Sequence, residues 1–226
     1  GDQRSALLRF ELDGLAPGDA VHQAILSVYV AAHPAGGGSL PVSVHAVLRP
    51  WVDSEATWYN ATAEDLWTLA GCNGPATNRS GTPSAGGVIT TAGAWLDLNI
   101  TDLVQGWVSN PAANHGLIIR AGGSVAPGPE QEGDEFRIFA AQYADDPQLR
   151  PRLSVAYTPE GAGSPTPTPT TVYGAPTTIT FQQLVSPPQY MGTVDTYISD
   201  YGDPESNYGG EGAMRLRSND HRASLI

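Results

Sequence analysis

Hydrophobic and polar residues alternate with period two along most of the chain. In residues 4–12 (RSALLRFEL) the alternation puts Ala6, Leu8, Phe10 and Leu12 on one face. Residues 20–31 group Ala24, Leu26, Val28 and Val30, and residues 41–49 group Val42, Val44, Ala46 and Leu48. Alternation of this kind marks strands with one buried face. Further strands are predicted at 95–100 (WLDLNI), 115–121 (HGLIIRA), 135–141 (EFRIFAA) and 152–158 (RLSVAYT). Turn-forming residues separate them at Asp13-Gly14, Pro34 to Gly38, Asn73-Gly74 and Ala121 to Gly133. One segment departs from the pattern. In ITDLVQGWV (100–108), Ile100, Leu103, Val104 and Trp107 recur at helical spacing, with Asn99 or Thr101 placed to cap the start. The pattern predicts an all-β antiparallel sandwich with one short helix closing an end.

Composition changes sharply after residue 158. Residues 159–176 form a Pro/Thr-rich linker, PEGAGSPTPTPT in its first part. Such a stretch favours extended polyproline at about 3.1 Å per residue and acts as a semi-rigid spacer, ~60 Å long if fully extended. Strands resume at 177–184 (TTITFQQL), 195–200 (DTYISD) and 213–218 (AMRLRS), and the chain stops inside RASLI at 222–226. That ending matches the beginning. Asn219–Ile226 aligns with Gly1–Leu8, sharing Asp, Arg and Leu at three positions. The expected organisation is therefore a tandem array read out of phase. Residues 1–158 form a sandwich module lacking its opening strands, and 177–226 are the opening strands of the next module.

Charge narrows the partners. The formal net charge is −12, and all 11 basic residues are Arg. An acidic surface repels phosphate backbones and anionic lipid, so neither nucleic acid nor a membrane surface is an expected partner. No stretch approaches the roughly 20 apolar residues of a membrane-spanning helix. With Cys72 as the single cysteine, no disulfide forms within the chain.

Several segments together resemble the DNRLRE family of extracellular β-sandwich modules. ITFQQ (179–183), DTYI (195–198), NYG (207–209) and LRS (216–218) look like the family's opening. RSALLRFEL (4–12) looks like its signature strand. AILSVYV (24–30), WVDSEATW (51–58), VQGWVSNPAANHGLIIR (104–120) and RPRLSVAY (150–157) look like its middle and end. The resemblance covers nearly the whole chain outside the linker. It implies a jelly-roll-like sandwich in a secreted or cell-surface protein, and overlapping families are described as carbohydrate-binding modules. It fixes no ligand.

Candidate chemistry is sparse. The five histidines show no metal-binding spacing, and neither a GxSxG elbow nor a GxxxxGK[ST] loop occurs. Asp53, Glu55, Glu64 and Asp65 cluster near tryptophans but read as solvated loop charge. No enzymatic activity is expected. Trp51, Trp58 and Trp67 lie in an irregular stretch, where an exposed ring would stack on a sugar and a buried one would fill the core. Asp195, Asp200, Asp203 and Asn207, with Glu205, make an oxygen-rich stretch that is a candidate structural calcium site. The sequons at Asn60 and Asn78 lie in loops that tolerate glycans, whereas the one at Asn99 reads as structural.

Two functions are expected. In the first, the chain is a structural module of an extracellular filament or stalk. A sandwich without its opening strands exposes sheet edges, and strands 177–218 have the residues to fill them, from the same chain or from a neighbouring copy. Ile179, Phe181, Tyr197, Ile198, Met214 and Leu216 would then be the inserted side chains. The partner would be another copy of the protein. The alternative is a carbohydrate-binding module with a polysaccharide as partner.

Overall fold

The computed structural model describes residues 3–32, 38–122, 135–160, 176–200 and 202–217. The chain folds as an antiparallel β-sandwich of two sheets with one short α-helix. The first half supplies β1 (Arg4–Phe10), β2 (Ala20–Ala32), β3 (Leu40–Ala46), β4 (Ala85–Ile89) and β5 (Ala94–Asn99). The helix α1 (Thr101–Ser109) follows, then β6 (Leu117–Ala121), β7 (Phe136–Phe139) and β8 (Arg152–Thr158). Beyond the Pro/Thr stretch come β9 (Thr177–Gln182), β10 (Thr193–Ser199) and β11 (Ala213–Leu216).

The first sheet runs β10-β1-β6-β3-β4. The second runs β11-β7-β2-β8-β9, with β5 on the opposite side of β2. The main core lies between the sheets. The predicted inward sets Ala6/Leu8/Phe10 and Ala24/Leu26/Val28/Val30 are buried there, as are Val42 and Val44. Leu48 is instead 44 % exposed, because β3 ends at Ala46 and the chain leaves the sheet before Pro50. Helix α1 turns Val104, Trp107 and Val108 inward. Asn99 steadies its start, its Oδ1 accepting from the Thr101 backbone N–H at 3.1 Å.

A second hydrophobic cluster covers the outer face of the first sheet. The long connection between β3 and β4 folds back over it and buries Val47, Trp51, Ala56, Trp58, Ala61, Trp67 and Cys72 against Leu7, Ile118 and Ile198. Two of the indoles are satisfied by backbone carbonyls. Trp51 Nε1 donates to the His115 carbonyl (2.7 Å), and Trp67 Nε1 to the Thr57 carbonyl (3.0 Å). Asn78 is fully buried at the turn of this pad, its Oδ1 accepting from the N–H groups of Leu69 and Gly74. β4 (AGGVI) was not predicted, since Gly86 and Gly87 erase the alternation. A Cβ at Gly87 would lie 3.0–3.1 Å from the methyl groups of Leu98 and Leu96, which would have to shift to admit it.

The Trp pad is thus part of the core rather than a decoration on a loop. Trp51→Ala should destabilise the fold by about 3–5 kcal/mol, as for other buried large-to-small changes. Urea unfolding monitored by fluorescence measures this; a loss near zero would mean that the pad does not contribute to stability.

Candidate functional site: the seam between the body and residues 176–217

Residues 176–217 do not form a unit of their own. Each of the segment's strands pairs with a different strand of the body: β9 with β8, β10 with β1, and β11 with β7. The alternation of the segment explains why it seats so well. Phe181, Tyr197, Met214 and Leu216 enter the main core, with Ile179 partly buried against it. Ile198 points the other way from Tyr197 and enters the Trp cluster. The six side chains singled out from sequence therefore all lie on the seam.

Polar contacts lock the same seam. The backbones of Arg4 and Arg217 exchange two hydrogen bonds, and Asp200 bonds Gln3 through both its backbone N–H and its Oδ1. Asn207 Nδ2 donates to the carbonyls of Asp53 (2.6 Å) and Ala56 (2.7 Å). Gly209 is required beside them, because a Cβ there would fall 2.2 Å from the Asp53 carbonyl oxygen. Gln182 Nε2 donates to the carbonyls of Gln148 and Arg150. At one end the Glu135 carboxylate gathers three guanidiniums: Arg4 of β1, Arg137 of β7 (3.1 Å) and Arg215 of β11 (3.3 Å). This node ties the segment to both sheets.

A buried carboxyl also sits on the seam. Asp195 of β10 is 1 % exposed, and its Oδ2 accepts from the Ala141 backbone N–H at 2.7 Å. Burial pushes its carboxyl up to about 7; the hydrogen bond from Ala141 opposes the shift, and the charge of Asp53 adds to it.

Other sequence expectations resolve differently. Trp51, Trp58 and Trp67 are between 3 % and 8 % exposed, so they offer no sugar-stacking face; their rings were needed to cover the first sheet. The four calcium candidates do not converge. Asp195 points into the sandwich, Asp200 holds Gln3, and Asn207 holds the 53–56 loop. Asp203 accepts from Ser206 Oγ and the Glu205 N–H, which holds its carboxyl below the usual range. Among the described residues no group of three His, Cys, Asp or Glu is arranged to hold a metal ion. Asn78 is buried and unavailable to a glycan in the folded protein, whereas Asn60 is half-buried at a bridge to Leu66.

Of the five histidines, His45 is buried and its pKa is lowered, mainly by burial. In the acidic loop, Glu55 caps the Ala63 N–H and Asp65 faces Arg49. The linker was expected to hold two modules apart, yet its flanks meet, with Tyr157 paired to Thr177 across β8 and β9. Residues 161–175 and the repeat match at 219–226 lie outside the described residues.

Half-exposed aromatics do occur, on the outer face of the second sheet, where sequence reasoning had not placed them. Tyr29 meets Trp95 edge-on (5.3 Å) and stacks on Phe139 (5.6 Å), which stacks on Tyr143 (3.6 Å). The Arg152 guanidinium lies 4.1 Å over the Trp95 ring. These rings spend their faces on one another, forming a cross-strand ladder. Among the described residues, no helix is long and apolar enough to cross a membrane. No known family model, curated protein or solved structure matches the chain.

Asp195 makes the seam sensitive to pH. A carboxyl whose folded pKa is raised binds its proton more tightly when folded. Its effect therefore favours folding at low pH, and stability falls as pH rises from about 4 to about 7, by up to ~4 kcal/mol. Asp195→Asn keeps an oxygen for the Ala141 N–H and should flatten this slope in denaturant titrations at pH 5 and 8. An unchanged slope would assign it to other groups.

Proposed function

We propose that this chain is a non-enzymatic structural module of a secreted or cell-surface repeat protein. In this reading it assembles head to tail by β-strand complementation. The observation that carries the reading is the distribution of β9, β10 and β11 over three separate positions in two sheets. A segment that reaches its seat only through residues 161–175 contacts the body in the same way whether the seat belongs to its own chain or to the next. Exchange of that segment between copies converts a closed monomer into a linear chain of modules. The alternating side chains give specificity, and the backbone ladders give affinity. The jelly-roll-like resemblance to extracellular DNRLRE modules and the Pro/Thr composition of 159–176 support the same assignment. The carbohydrate-binding alternative loses support, because its three candidate tryptophans form core and the half-exposed rings cover one another.

The test is negative-stain electron microscopy of the purified full chain alongside its solution mass. Filaments with a repeat of one module are the expected result. A compact monomer at 23.7 kDa over the whole concentration range would overturn assembly by strand exchange.

A further inference from the structure

The first sheet ends in β4, and among the described residues that edge is open. The direction of its hydrogen bonds follows from β3. The Gly122 N–H donates to the Pro41 carbonyl at 3.0 Å, and the Ser84 N–H to the Val44 carbonyl at 2.7 Å. Successive strand residues bond to opposite sides, so Pro41 and Ser43 serve β6 while Leu40, Val42 and Val44 serve β4. Val42 lies across from Gly87 and Leu40 across from Ile89. Gly87 and Ile89 therefore direct their backbone groups to β3. The N–H and C=O groups of Gly86 and Val88 point away from the sheet, and no described residue bonds them. Both residues are exposed, Val88 by 50 %.

Sheet edges are ordinarily guarded by a charged side chain, a proline or a bulge. β4 has none of these. Residues 80–96 carry no charged side chain, in a chain of net charge −12. Two acidic copies repel one another, and an uncharged edge is where backbone can approach backbone without opposing like charges. The glycines leave that backbone uncovered: a Cβ built at Gly86 would meet only the Val42 carbonyl oxygen within contact range, at 3.5 Å. The edge is also self-complementary. Turned about a twofold axis at Gly87, β4 sets its Gly86 opposite Val88 of a second copy and its Val88 opposite Gly86. Each of these pairs exchanges both of its N–H···O=C bonds, as opposed residues of an antiparallel ladder do. Each valine then lies beside a glycine, so the side chains do not collide.

We propose that the β4 edge is a contact surface for a second copy of this chain, which adds its own β4 antiparallel with Gly86 opposite Val88. The contact joins two sandwiches side by side and exchanges no segment between them, so it is separate from the seating of residues 176–217. An edge of five residues buries far less surface than a standard interface, and a single contact is weak. In the array proposed above, linked modules add such contacts and gain avidity.

Amide hydrogen exchange of the full chain tests this, read by mass spectrometry over residues 84–90 at concentrations from about 1 µM to about 1 mM. The expected result is protection of the Gly86 and Val88 amides that grows with concentration and saturates. Exchange of residues 176–217 between copies leaves these amides unpaired, so the readout holds whether or not filaments form. Val88→Pro removes an outward N–H that bonds nothing within one copy, a change that edge strands tolerate. It should move the midpoint to about tenfold higher concentration, or ~1.4 kcal/mol, with unchanged exchange of β3 as the check on folding. Val88→Glu, which sets like charges together at the contact, should do the same. Full protection already at about 1 µM would mean that the edge is covered within one copy, and none at about 1 mM would mean that no second copy pairs with it. Either result, or an unmoved midpoint in both folded variants, overturns the proposal.

Discussion

The structure depends on burying β1 from every direction. Ala6, Leu8 and Phe10 face the other sheet, and Leu7 faces outward into the Trp cluster. Both of its edges are hydrogen-bonded, to β6 and to β10. A strand apolar on both faces reads as an interior strand, and here an interior position has to be built around it. The second sheet covers one face, the 47–80 pad covers the other, and β6 takes one edge. The remaining edge goes to β10, a strand from the far end of the chain. Much of the molecule follows from that demand, including the length of the β3–β4 connection and the placement of residues 176–217.

The sequence made the strands legible wherever burial was one-sided. Period two located β2, β3 and β8 closely because one face of each meets the core, and it located β1 through Ala6, Leu8 and Phe10 even though Leu7 is buried on the other face. It missed β4, where two glycines leave no pattern to read. It located the helix because Ile100, Leu103, Val104 and Trp107 repeat at a different period. The pad was beyond it. Trp51, Trp58 and Trp67 sit in irregular backbone, so no periodicity distinguishes an indole facing solvent from one facing a sheet. The seam side chains were legible as apolar strand positions. That Ile198 and Tyr197 serve two different cores was not, since this depends on a pad folded from elsewhere in the chain. The polar residues were the least legible. Asp195 and Asp203 look alike in the sequence, yet one is sealed between the sheets and the other caps its own loop.

Buried polar groups divide the molecule into two electrostatic regimes. Along the seam they are matched: Glu135 answers three arginines, and Asn207 and Gln182 close onto backbone carbonyls. Such a network is costly to half-break, because each lost partner leaves another group buried and unmet. On the outer face beside the pad, cationic donors outnumber their acceptors. The first regime resists change in how strands are seated, and the second leaves buried donors unmet on the outer face of the first sheet.

The energetics of the seam bear on the proposed exchange of residues 176–217 between copies. Phe181, Tyr197, Ile198, Met214 and Leu216 are all nearly or fully buried. At roughly 1.5–3 kcal/mol for each fully buried large apolar side chain, they account for ~10 kcal/mol, comparable to the whole stability of a typical domain. The body therefore does not hold its fold with these seats empty. Seating the segment from its own chain or from a neighbour makes the same contacts, so those contacts cancel in the comparison. What remains is chain entropy. A connection whose ends meet, as Tyr157 and Thr177 do, gives the chain's own segment an effective concentration in the millimolar range if the connection is flexible. Proline in the connection reduces that advantage by stiffening it. Under the proposed exchange, the balance between closed and linked forms would be set by the residues joining β8 to β9, while the strands themselves determine only that some segment must occupy the seam.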